Sequence, residues 1–412
     1  MENKFKYKIN LILVLLSIFI ISSLNMISPK DQTISEEENR ALAKKPEFSS
    51  QSLFTGKYIR DFESYFADHF LFREYLVKYS KKISTLKGIK RSEDVHLVEF
   101  AGQNVGGENN GGNEQANSNG NLLILNDTVM ELYKFNEKTS KSYADMINKL
   151  QEQLGNNTKV YSILAPLQIE FLTEEKYKNL SDSQIDAINY VKSNLSDRII
   201  TVDVYNPIKE HINEYVYFRT DHHWTALGAY YGYTGFAKVA GFDAISLDKY
   251  EKEEAKGFLG HLSTVNPTDA VTNNPDDVIF YNPLVKNSLK VHFYDKETGE
   301  KKSYEGKVIS KSYVDKDQKY GIFMGGDFPL GIIKTDVKNE KKIMVIKDSY
   351  ANAFLPFLLP HYSEIYVVDP RHYKENIIDL VKENNIGEIL ILNYIKTTNF
   401  DSYINSVVNL MK

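Results

Sequence analysis

The sequence predicts an α/β fold built on a doubly wound, mostly parallel sheet. Two observations carry that expectation. Helix-period segments and short β-type runs alternate through the body of the 412-residue chain, and the same strand, helix, strand order recurs near its end. A third observation, a lysine-flanked apolar stretch at the N-terminus, places a membrane-directed segment ahead of the body.

Taken in order, Lys4, Lys6 and Lys8 precede the apolar run 9–27, densest over 11–21. A basic flank followed by an apolar segment of this length reads as an export signal. Residues 1–29 are taken as an uncleaved single-pass anchor with the body outside the cytoplasm; a cleaved signal, which would leave the body secreted, is the alternative. Residues 30–100 form a helical stalk and packing segment, because Phe62, Tyr65, Phe66, Phe70, Leu71, Tyr75, Leu76 and Tyr79 fall at helical spacing. Residues 101–121 are a Gly- and Asn-rich tract with almost no large apolar side chain, hence a flexible loop. Residues 122–412 hold the α/β domain.

Within that domain Tyr143, Met146, Ile147, Leu150 and Leu154 define a helix over 140–154, and the run 159–164 is a strand. A helix over 183–195 and a strand over 198–204 follow. The alternating run 215–219 is expected to be another strand, leading into a helix over 226–240. The C-terminal part repeats the pattern with strands at 343–346, 364–368 and 388–392 and helices at 351–359 and 374–384. Between the halves, 256–326 is rich in turns and reads as a β-rich insertion at the sheet edge or over the site. It contains an expected hairpin of 289–294 with 303–308.

Composition narrows the chemistry. A net charge of −5 with 25% charged residues gives no basic footprint for nucleic acid. The absence of cysteine excludes thiol catalysis, Cys-ligated zinc, iron–sulfur clusters and disulfides. In open α/β sheets ligands lie beyond the carboxyl ends of strands, and two segments stand there. One is Asp221-His222-His223-Trp224; the other is Lys347-Asp348-Ser349-Tyr350 before the helix that begins near Ala351. A serine at a helix N-terminus lies beside backbone N–H groups that stabilise an oxyanion, His223 is a candidate base, and Asp221 reaches its other nitrogen. The competing structural readings are a helix cap for Ser349 and a polar turn with a packed Trp224. Asp221, His222 and His223 are also of metal-ligand type, but adjacent histidines project differently and no further His pattern supplies a partner, so no metal or other cofactor is expected.

At these residues the sequence resembles the DHHW family, named for the run Asp221-His222-His223-Trp224. That family is similar to alginate O-acetyltransferase proteins with a circularly permuted, SGNH-hydrolase-like domain. The resemblance also covers Glu38-Asn39-Arg40 with Leu42 and Pro46, the segment 68–73, Asp203, Thr225, Gly228, and Lys347 to Tyr350 with Asn352, Pro356 and Phe357. It implies catalytic roles for Asp221, His223 and Ser349, with His222 at the variable position of an Asp-x-His-Trp motif and Trp224 in support. Lys347 departs from the hydrolase pattern, which has Gly there. Gly325, Gly326 and Asn352 are candidates for completing an oxyanion hole, and Arg371 for meeting an anionic sugar or oxyanion, a solvated surface arginine being the alternative.

The implied activity is an extracytoplasmic O-acyltransferase or esterase on a cell-surface or secreted polysaccharide, supplied with acyl groups by a polytopic membrane acyltransferase. The alternative is a non-catalytic, membrane-anchored polysaccharide-binding or assembly protein. An uncleaved anchor predicts that the protein recovered from cells keeps the full 47.4 kDa mass; a mature chain shorter by roughly 15–30 N-terminal residues would replace the anchor with a cleaved signal.

Overall fold

The computed structural model describes most of residues 43–73, residues 95–98, and residues 122–412 apart from 175, 176, 178, 266, 267 and 296, together with Leu16, Asn25, Ile34–Ser35 and Arg40–Ala41. The apolar stretch 9–27, Leu16 and Asn25 aside, and the tract 101–121 lie outside the described residues. Among the described residues no helix is long and apolar enough to cross a membrane. The chain divides into two compact units, residues 1–91 with 113–116 and residues 92–112 with 117–412. In the first unit Lys57–Asp68 is a helix, and the carbonyl of Tyr65 accepts from both the backbone N–H and the ring of His69 where it ends. Residues 74–86 of the expected helical segment lie outside the described set.

The second unit is organised by an eight-stranded sheet. In chain order its strands are β1 (Lys159–Ala165), β2 (Ile199–Thr201), β3 (Asn287–Tyr294), β4 (Lys301–Gly306), β5 (Leu330–Thr335), β6 (Lys342–Lys347), β7 (Glu364–Val368) and β8 (Glu388–Tyr394). Their spatial order is β4-β3-β5-β7-β6-β8-β1-β2. The five from β7 to β2 are parallel, whereas β5, β3 and β4 add to the β7 edge in antiparallel pairs. The parallel strands read as unbroken apolar runs because both faces are covered: Ile343 to Ile346 and Ile389 to Leu392 are all buried.

Helices α1 (Glu137–Leu154), α2 (Gln184–Ser193), α3 (Ala226–Ala240), α4 (Ala351–Leu358), α5 (Ile377–Glu383) and α6 (Asp401–Asn409) connect and cover these strands. Their starts are set locally. Asn136, Ser183, Thr225 and Asn376 each accept a backbone N–H from the first turn of α1, α2, α3 and α5. The chain passes from β6 to β7 on one side and then crosses to β8 on the other, so the strand order reverses at β6. That is the topological switch point, where the crevice beyond the strand ends opens.

Four expectations are corrected. Residues 215–219 form no strand of a sheet; one isolated bridge, Tyr217 to Trp224, is all the β pairing this segment makes. Its backbone polar groups have other partners: Arg219 N and Thr220 N donate to the Asp276 carboxylate, and Thr225 N donates to Val216 O. The strand expected over 198–204 is only Ile199–Thr201. The stretch 256–326 is not one insertion but two structures. Lys252–Phe258 pairs with Asp276–Tyr281 in a separate two-stranded sheet, while β3 and β4, the hairpin, extend the central sheet. Val95–Val98, within the expected stalk, pairs with Leu122–Leu125.

Helix α3 packs close against the loop that precedes it because it carries small residues. A Cβ on Gly228 would lie 2.3 Å from Val216 O, and one on Gly235 would lie 2.3 Å from Asp203 O. Backbone on both sides of each contact leaves no flexible atom to yield. Gly228→Ala is therefore expected to lower stability by about 1–3 kcal/mol, as overpacked cores do, read as a shift in the urea unfolding midpoint.

Candidate active site

Ser349 stands two residues beyond the end of β6, at the switch point and just ahead of α4. Its loop is pinned from below by Asp348, whose Oδ2 accepts from Asn393 Nδ2 at 3.0 Å, Tyr394 N at 3.0 Å and Thr397 Oγ1 at 2.8 Å, and whose Oδ1 accepts from Tyr350 N at 3.0 Å. Asp348, next to the serine in sequence, thus ties the loop to the end of β8. The loop 220–225 lies against it across 126 residues of chain. His223 Nε2 is 2.7 Å from Ser349 Oγ, and His223 Nδ1 is 2.5 Å from Asp221 Oδ1. With Nδ1–H donating to the carboxylate, Nε2 is left to accept from the serine hydroxyl.

Further contacts join the two loops. Trp224 Nε1–H donates to Tyr350 O at 2.8 Å, and Tyr350 O–H donates to His222 O. Trp224 is fully buried and stacks at 12° to Phe354 of α4. The rare-residue cluster divides accordingly: His223 meets the serine, Asp221 bonds to the other nitrogen of His223, and Trp224 bonds to the serine loop. His222 packs its ring 3.9 Å from that of His223, with Nδ1 3.7 Å from Asp221 Oδ1. His223 uses both ring nitrogens, on Asp221 and Ser349, so a metal held by Asp221, His222 and His223 together would have to displace one of those two hydrogen bonds.

Three groups around this core carry no local sequence signal. Tyr320 stacks on His223 at 3.8 Å between ring centres and donates its O–H to Ser349 O at 3.0 Å. Burial pushes its hydroxyl pKa well up, so it stays a donor. His261 N donates to Asp221 Oδ2 at 3.0 Å, and Gly260 lets that segment approach, since a Cβ there would lie 2.2 Å from Asp221 Cβ. Asp276 accepts from Thr220 N at 2.8 Å and Arg219 N at 3.1 Å, fixing the start of the loop. All three act through distant contacts.

The remaining candidates converge on Asp327. Lys347, whose side chain is 0% exposed, bonds to Asp327 Oδ1, which also accepts from Asn352 Nδ2 at 2.9 Å; Arg371 Nη2 reaches Asp327 Oδ2 at 2.8 Å. Arg371 further bonds to Asp369 through Nε at 2.8 Å and Nη2 at 2.5 Å. It is neither a solvated surface arginine nor a group standing open to an anion. The amides of Gly325 and Gly326, both at positive φ, are engaged by Gly321 O at 3.1 Å and Phe323 O at 3.4 Å, so neither points to an oxyanion hole as expected. The Ser349 N–H has no hydrogen-bond acceptor among the described residues.

The arrangement is that of an α/β protein with a serine loop at the switch point and a hydrogen-bonded Asp221–His223 pair on a second loop that meets it. The chain belongs to the DHHW family: the family model for DHHW protein matches residues 95–368. It is similar to a DHHW family protein from Eubacterium siraeum, at 28% identity over 70% of this chain and 95% of that one, with a TM-score of 0.61. It is similar in fold to Bacillus cereus PatB1, at 21% identity over 69% and 99% of the two chains and a TM-score of 0.59. The O-acetyltransferase domain of Pseudomonas putida AlgJ gives 13% identity over 69% and 96%, with a TM-score of 0.39. No curated protein matches the sequence.

Burial by itself would raise the Asp221 pKa. The adjacent His223 and His222 imidazoles, with hydrogen bonds from His223 and the His261 amide, instead hold it well below the usual carboxylate range. A depressed folded-state value contributes stability above the unfolded value of about 3.9 and loses it as pH falls from there toward the folded value. The stability difference between wild type and Asp221→Asn should accordingly be larger near about pH 6 than near about pH 3, measured from urea midpoints at the two pH values.

Proposed function

We propose that the protein is a serine-dependent O-acyltransferase or esterase acting outside the cytoplasm on a cell-surface or secreted polysaccharide. The observation that carries this reading is His223, bonded to Asp221 at 2.5 Å on one side and to Ser349 Oγ at 2.7 Å on the other. Ser349 Oγ attacks an acyl carbonyl while its proton passes to His223 Nε2. Asp221, ionised and held by two backbone amides, stabilises the imidazolium that results. The Ser349 N–H, beside the start of α4, is placed to receive the oxyanion. His223 then gives its proton to the leaving group, and the acyl-enzyme is resolved by a sugar hydroxyl or water, whose proton His223 takes and returns to Ser349.

Tyr320 supports this chemistry by closing one face of the His223 ring. The ring cannot tilt toward it without losing a stacked contact at 3.8 Å. An apolar run at 9–27 supports the placement of the body outside the cytoplasm, with the acyl donor delivered by a polytopic membrane acyltransferase.

Ser349→Ala and His223→Ala are each expected to reduce release of acetate from an activated ester by at least about a thousandfold, because the triad acts as a unit. Asp221→Asn should cost a comparable factor by letting the imidazole take the wrong tautomer. Wild-type protein should be labelled at Ser349 by a serine-directed reagent. A wild type that neither releases acetate nor is labelled, with polymer acetylation in cells indifferent to Ser349→Ala, would leave the non-catalytic binding protein as the reading.

A further inference from the structure

The helix Lys57–Asp68 of the first unit carries its apolar residues on one face. Tyr58, Ile59, Phe62, Tyr65 and Phe66 recur at spacings of three and four, whereas Asp61 and Glu63 flank them and Arg60 and Ser64 lie opposite. A helix packed on a core hides such a face. Here its centre lies open: Ile59 is 51% and Phe62 41% exposed, and Phe48, whose ring meets that of Tyr58 edge-on at 5.3 Å, is 66% exposed. Tyr58 stacks with Phe62 at 6.0 Å and Phe62 with Phe66 at 6.5 Å, so the rings form a row along the helix. Contiguous exposed apolar surface of this kind marks a contact.

What covers the face is indicated by where the helix ends. Just past it, Leu71 N donates to Asn25 Oδ1 at 2.8 Å, and Ala43 N donates to Asp68 Oδ2 at 2.8 Å. Asn25 stands near the C-terminal end of the apolar run 9–27, so the end of the helix is tied to the place where that run stops. If the run spans a bilayer with the body outside, that place is the outer lipid–water boundary, and a helix roughly 18 Å long lies within reach of the same layer. Tyrosine and phenylalanine rings suit that layer, where an apolar body and a polar tip are both satisfied. Charge contributes little, because two basic and three acidic residues leave the helix at 2 − 3 = −1. Insertion of the rings, not attraction to anionic headgroups, has to carry the contact.

We propose that Lys57–Asp68 is an interfacial helix that lies flat on the outer leaflet, with Tyr58, Ile59, Phe62 and Phe66 in lipid and Arg60 and Ser64 toward water. This inference rests on the reading of 9–27 as a spanning anchor and is independent of the serine chemistry. It gives the first unit a second hold on the bilayer beside the anchor, so that this unit is fixed to the surface instead of swinging on a linker.

The absence of cysteine makes the test direct, because one introduced cysteine takes one label. The full chain carrying Ile59→Cys, Phe62→Cys, Ser64→Cys or Leu16→Cys is nitroxide-labelled and reconstituted in phosphatidylcholine vesicles. Label depth is read by electron paramagnetic resonance from the relative accessibility to oxygen, which concentrates in lipid, and to an aqueous nickel chelate. Ile59 and Phe62 are both exposed, so two independent substitutions report on the face without disturbing a core. Their labels should lie about 5–10 Å below the headgroup boundary, and the label at 64 about 10 Å shallower, the width of a helix. Labels at 59 and 62 that are open to the nickel chelate overturn the proposal. Labels there shielded from both reagents also overturn it, by putting a protein partner, a second copy included, on the face. The Leu16 label separates this inference from the anchor it rests on. Leu16 in lipid with 59 and 62 in water overturns the interfacial helix alone; Leu16 in water with 59 and 62 in lipid overturns the anchor alone; all three in water overturn both.

Discussion

The hydrogen bond from Ser349 Oγ to His223 Nε2 sets the tolerance for everything around it. Its partners are 126 residues apart, and a 2.7 Å contact between them survives only if two loops hold each other in place. Neither loop is a regular element, so each is fixed by side chains and by orphan backbone groups. Asp348 satisfies two backbone amides and two side chains beneath the serine, and Asp276 satisfies two amides at the entry to the histidine loop. Buried carboxylates perform here the work that strand ladders perform elsewhere.

Those carboxylates come at a desolvation cost that the surroundings offset. Asp221 is buried, yet two imidazoles and two amides hold it ionised. Asp327 and Asp369 face Lys347 and Arg371, and Lys347 is wholly inside. Removing any one member of such a set leaves an unpaired buried charge, which is why these groups specify one loop arrangement instead of several. The aromatic stack of His222, His223 and Tyr320 adds a geometric constraint, fixing the imidazole plane where the hydrogen bonds fix its direction.

Much of this was legible in the chain. The segments 140–154, 226–240, 343–346, 364–368 and 388–392 carry periodicities strong enough to be identified as helix or strand, and the structure moves their ends by only a few residues. The run 215–219 misled because its aromatic alternation looks like a half-buried strand, whereas its amides go to separate partners, Val216 N to Glu214 O, Phe218 N to His223 O and Arg219 N to the Asp276 carboxylate. Gly325 and Gly326 were candidates for the oxyanion hole that the family resemblance implies, but their positive φ serves a turn that uses both N–H groups. Arg371 was open in sequence and is committed to two carboxylates in space.

What the sequence by itself determined is which residue types are available to the site: no cysteine, one clustered Asp-His-His-Trp run, and a serine where an apolar strand gives way to a helix. Those are properties of residue type and short-range pattern, and they need no partner to be read. Only the tertiary structure decided that Tyr320 covers the His223 ring, that the His261 amide backs Asp221, and that Gly260 must lack a side chain. Each of these depends on a contact between segments far apart in the chain, where burial and the pairing of polar groups, which no local period encodes, select the arrangement.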